Sequence, residues 1–101
     1  PEPVVFTSDY RKVSLDASEI LYVESRDTEV WVCATDNRKF RNKTGITQWE
    51  NLLGEDFVRV HRSFVVKKDA IASVESELVK LQDGKEIPVS RKYRNLVNMI
   101  R

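Results

Sequence analysis

The chain has 101 residues, 41% of them hydrophobic and 33% charged, with a net charge of +1. That is the length of one domain, spanning residues 1–101, with room for a real core, and no apolar run nears the ~20 residues that cross a bilayer as a helix. Its single cysteine, Cys33, excludes an internal disulfide and makes a reducing cytoplasm the expected compartment.

The N-terminus lacks the basic start and long apolar stretch of a signal peptide. Pro1-Glu2-Pro3 reads as the extended tail of a linker. Two strands follow, VVFTS at 4–8 and RKVSL at 11–15, around a turn at Asp9-Tyr10. EILYVES at 19–25 carries apolar residues on both faces, as does a strand sandwiched inside a core. RDTE at 26–29 breaks the pattern before VWVCAT at 30–35 resumes it, rich in β-branched and aromatic residues. Asp36-Asn37 is turn chemistry, and RKFRN at 38–42 is the returning strand.

A helix is expected over 46–53. Thr47 with Glu50 has the form of a capping box, and Thr44 is an alternative N-cap. Ile46, Trp49, Leu52 and Leu53 fall on one face, which reads as core. Gly54 is a natural stop. FVRV at 57–60 is a short strand, whereas SFVVKKDAI at 63–71 is ambiguous, reading as a turn of helix before a strand. IASVES at 71–76 and ELVKLQ at 77–82 alternate as strands. Asp83-Gly84 marks a tight hairpin into EIPVS at 86–90, where Pro88 cannot donate to a ladder and places the strand at an edge. A terminal helix over 91–100 has Tyr93, Leu96, Val97 and Ile100 at helical spacing. The expected fold is mainly β.

Little here resembles catalytic machinery. One histidine and one cysteine, far apart, do not make a metal site. Glycine occurs only at 45, 54 and 84, so there is no phosphate-cradling loop, and no serine has a G-x-S-x-G context. The chain is not expected to be an enzyme or to need a cofactor. The charge is unevenly spread: residues 1–58 carry a net −4 and residues 59–101 a net +5. This points the second half toward an anionic partner.

Basic residues mark the breaks between elements. In VHRSF, Arg62 and Ser63 sit between two apolar stretches, with His61 expected to be a hydrogen-bonded structural residue. In PVSRKYR, Arg91 and Lys92 open a helix, where the macrodipole favours anions instead; such a conflict is expected at functional positions. The SRDTE loop at 25–29 offers Arg26, Thr28 and Glu29. Arginine can pair with guanine edges or phosphate, and Ser63 and Ser90 can donate to phosphate.

The order EILYVES, VWVCAT, ITQWENLL, FVRVHRSFVVKKDAIASVE and IPVSRKY resembles the LytTR DNA-binding domain of bacterial response regulators, from about Val4 to Ile100. The resemblance implies an elongated arrangement of antiparallel sheets with small helices. It also implies sequence-specific binding of double-stranded promoter DNA, with loops rather than a recognition helix entering successive major grooves. Carried over by motif position, Arg62 and Arg91 are contact residues, with Ser63 and Lys92 beside them. The 25–29 loop supplies a further contact from Arg26, Thr28 or Glu29, and the choice among them is open. Position 62 varies in the family, and some members carry Asn there. The resemblance further implies a preceding receiver domain, absent from this chain, and pairing of two copies on direct repeats, with no membrane role.

Two rival functions compete. A protein-interaction or sensory β module would pair its edge strands with a partner, although Pro88 blunts one edge. A single-strand binder would need Tyr10, Tyr22, Trp31 and Tyr93 on outward faces for base stacking.

Overall fold

The computed structural model describes residues 3–99. Turn chemistry sets the first three reversals. Asp9 and Tyr10 join β1 (Val4–Ser8) to β2 (Arg11–Leu15), and both take left-handed φ, 49° and 68°, as a primed hairpin turn requires. Asp27 does so at 55° between β3 (Ile20–Arg26) and β4 (Glu29–Ala34), and Asp36 and Asn37, at 63° and 60°, turn β4 into β5 (Lys39–Asn42). The break expected at 26–29 is therefore only two residues long. Arg26 and Glu29 are opposed strand residues, because β3 and β4 keep pairing to their last available backbone groups.

The main sheet has five antiparallel strands in the order β5-β4-β3-β7-β6, where β6 is Phe57–His61 and β7 is Phe64–Lys67. It is covered on both faces, as the apolar residues on both sides of β3 predict. Val23 belongs to one core with Phe6 and Leu15 of the first hairpin and Trp49 and Leu53 of the helix. Tyr22, its neighbour, points to the other core with Val79, Leu81, Ile87, Val89 and Val97. A three-stranded sheet, in the order β10-β9-β8, covers this second face. Its strands are β8 (Ile71–Val74), β9 (Leu78–Leu81) and β10 (Glu86–Pro88). Pro88 lies in an edge strand, where its missing N–H breaks no ladder bond. Three layers give extents of 39 × 26 × 22 Å. The fold is the mainly β, elongated arrangement of antiparallel sheets expected.

The ambiguous stretch at 63–71 resolves into β7, one 3-10 turn at Lys68–Ala70, and the start of β8. Helix α1 spans Ile46–Leu53, as the spacing predicts, but its N-cap is Gly45 rather than Thr47 or Thr44. Gln48 accepts from the Gly45 N–H at 3.1 Å, while the Thr44 N–H is taken by Asn42 Oδ1 at 3.0 Å. Those bonds start the helix at Ile46. Leu52 is a second correction: it is 62% exposed while Trp49 is fully buried, because the sheet covers only a narrow stripe of so short a helix. At the C-terminal end, Arg91–Tyr93 forms a 3-10 turn leading into α2 (Arg94–Asn98). Val97 is buried and Leu96 exposed; Ile100 lies outside the described residues. No described helix is long and apolar enough to cross a membrane.

Candidate nucleic-acid interface

Arg62 and Ser63 form the two-residue turn between β6 and β7. Neither residue has a left-handed φ, so this hairpin lacks the backbone geometry that usually matches strand twist. Side chains hold it instead. Arg59, only 9% exposed, donates from Nε to the His61 carbonyl at 2.8 Å and from Nη2 to the Arg62 carbonyl at 2.6 Å. Its Nη1 bonds Glu50 Oε1 of α1 at 2.9 Å, which balances a charge that burial would otherwise penalise. His61 Nδ1 accepts the Ser63 N–H at 3.1 Å, the structural role expected of it. The Arg62 side chain is exposed, and among the described residues no carboxylate comes within ion-pair distance of it.

The ladder between β6 and β7 skips a residue between Arg59 and His61. This bulge releases the Val60 carbonyl, which accepts the Ser90 N–H at 2.9 Å. Bulges commonly re-aim a chain beside a functional site. Here the bond moors the start of the 91–93 turn against β6. The Ser90 carbonyl in turn accepts the Tyr93 N–H at 3.0 Å. Arg91 and Lys92 are both exposed; the Lys92 ammonium lies 5.5 Å from the centre of the Tyr93 ring, and the Arg59 guanidinium 5.7 Å from the same ring, distances suited to cation–π attraction.

The third region adjoins the first. The Ser25 N–H donates to the Ser63 carbonyl at 2.8 Å, so the β3–β4 turn stands next to the β6–β7 turn. Within it Arg26 is paired with Glu24 at 3.2 Å and Glu29 with Arg41 at 3.2 Å, while Thr28 is exposed. Hydrogen bonds thus bring Arg62 and Ser63, Arg91 and Lys92, and Arg26, Thr28 and Glu29 to neighbouring turns. Arg59 and Glu50 are the members that sequence reasoning missed. The only signal was an arginine inside the buried run FVRV, a position that charge occupies only with a partner. As for base-stacking aromatics, Tyr22 is 6% exposed and so closed to a base, while Tyr10 is fully exposed on the β1–β2 turn.

Comparison with known proteins gives a consistent result. Residues 10–101 match the model of the LytTr DNA-binding domain. The sensory transduction protein LytT of Bacillus subtilis (strain 168) is 34% identical over 86 residues, covering 80% of this chain and 36% of LytT. Among solved structures, a LytTr DNA-binding domain from Bacillus cereus, belonging to a protein described as a DNA response regulator, superposes with a TM-score of 0.83 at 25% identity. That match covers 99% of this chain and 96% of the other.

Proposed function

Because the chain belongs to the LytTr family of DNA-binding domains, we propose that it reads a specific duplex sequence for transcriptional control, through the major groove, with Arg62 and Arg91 as base-reading residues. The observation that carries this reading is the pair of exposed arginines on neighbouring turns whose backbones are fixed from within. Arginine so placed can donate two bonds to guanine O6 and N7. Ser63 and Lys92 are suited to phosphate, which positions the protein without reading sequence. Of the β3–β4 turn, Thr28 is the residue with a free approach, since Arg26 and Glu29 already have ionic partners.

The chain spans about 36% of the length of LytT. The larger setting is a response regulator in the cytoplasm, with a receiver domain ahead of this one and two copies binding a direct repeat. Selection of bound sites from a random duplex library tests both levels. Enrichment of a short repeated element supports the reading, and the absence of any enriched sequence overturns it. With the selected duplex in hand, Arg62→Ala should weaken binding by ~1–3 kcal/mol. The loss should shrink on a duplex mutated at the contacted base and be small on random duplex. Equal loss on all three would make Arg62 a phosphate contact.

A further inference from the structure

We infer that Arg59 is a positioning residue for sequence discrimination: its buried guanidinium sets the Arg62 turn in the geometry that reads a base. The inference rests on the proposed role of Arg62 and deepens it. Arg59 itself, at 9% exposure, does not reach a DNA surface, so any effect it has on base preference must pass through what it holds.

Three observations converge. First, Arg62 and Ser63 have no left-handed φ, so the turn lacks the primed geometry that matches the twist of a two-residue hairpin. Second, Arg59 spans it from behind, with two nitrogens of one rigid planar fork on the successive carbonyls of His61 and Arg62. Two bonds from one plane fix both the distance and the tilt of the peptide unit between them, which a lysine ammonium cannot do. Third, the fork is itself fixed. Glu50 Oε1 holds Nη1 at 2.9 Å from α1, and the Tyr93 ring faces the guanidinium at 5.7 Å. Such charge-assisted bonds at a nearly buried site are shorter and stronger than neutral ones. The chain of support runs from α1 through Glu50 and Arg59 to the carbonyl of the reading residue. A base contact depends on side-chain placement to within a fraction of an ångström, so a turn free to rock would still attract phosphate but discriminate poorly.

The test uses this chain, the duplex it selects from a random library, and an unrelated random duplex. Arg59→Lys keeps the charge and removes the fork. It should lower the ratio of selected to random affinity ~10-fold, with random-duplex affinity within ~2-fold of the parent. In an Arg62→Ala background the same substitution should change the ratio by less than ~2-fold, since coupled residues are non-additive. An unchanged ratio in folded Arg59→Lys overturns the inference. So does an undiminished effect in the Arg62→Ala background, which would show that Arg59 acts on something else. Should Arg59→Lys fail to fold, Glu50→Gln decides: it keeps an acceptor for Nη1 but removes the charge, and should lower the ratio ~3-fold, with no change counting against the inference. If Arg62→Ala alone leaves the ratio intact, the base-reading role of Arg62 has failed, and that result is distinct from failure of the Arg59 link.

Discussion

Trp49→Ala gives the sharpest test of the first core. The indole is fully buried, packs edge-on against Phe6 with centroids 5.1 Å apart, and donates from Nε1 to Asn42 Oδ1 at 3.0 Å. Replacing a buried aromatic by alanine costs ~3–5 kcal/mol in lost transfer energy and cavity. The aromatic pair adds to that loss. The lost hydrogen bond adds little, because Asn42 Oδ1 still accepts from the Thr44 N–H at 3.0 Å and is not orphaned. A value of ~4 kcal/mol follows from the middle of that range. With a urea dependence of ~2 kcal/mol/M for a domain of this size, the unfolding midpoint should fall by ~2 M. Trp49→Phe keeps a ring against Phe6 and should cost about 1–2 kcal/mol. The assay is urea titration of all three proteins followed by far-ultraviolet circular dichroism, with duplex binding measured where each is folded. Folded Trp49→Ala should bind as the parent does. A loss of stability under ~1 kcal/mol would refute the packing argument, and lost binding in a stable, folded variant would make Trp49 part of the interface.

Three further outcomes are expected. Leu52→Ala should stay within ~0.5 kcal/mol of the parent while Leu53→Ala costs ~2–4 kcal/mol, compared in the same urea titration; equal costs would contradict the burial of this helix face. Burial pushes the Tyr22 hydroxyl and the Cys33 thiol above their ordinary values of 10.0 and 9.0, so the fold favours their protonated forms. The associated stability is fully present below pH 9 and is lost as the pH rises past the unfolded-state values. Urea midpoints between pH 7 and 11 should therefore fall at the alkaline end, and less steeply above pH 10 in Tyr22→Phe. Lys92→Ala should weaken selected and random duplexes alike and lower the salt slope of binding by about one, a result that a base contact at Lys92 would not give.

Much of the fold was legible because the first three reversals carry their own chemistry. Asp9, Asp27, Asp36 and Asn37 tolerate left-handed φ, and each sits at a hairpin tip. The apolar residues on both faces of EILYVES announced a central strand, and the structure indeed buries Tyr22 and Val23 on opposite sides. Helix capping was misread because a local side-chain bond competes with it: Asn42, at a strand end, captures the Thr44 N–H two residues on and leaves Gly45 as the cap. The basic turns were visible as charges between buried runs. Their adjacency was not, since it depends on bonds such as Ser25 to Ser63 and Ser90 to Val60, which join segments far apart in the chain, the second through a bulge that no residue type signals. Arg59 was hidden for the same reason, as its partner Glu50 lies on another element.

The grip on residue 62 is made through its carbonyl oxygen, an atom that every amino acid possesses. The anchor is therefore blind to the side chain it presents. A different residue at 62 would inherit the same aimed backbone, so the side chain presented at this position can change without rebuilding the turn, and the mould and the key are separately replaceable. Residue 59 has no such freedom, because only a planar fork reaches both carbonyls and Glu50 at once.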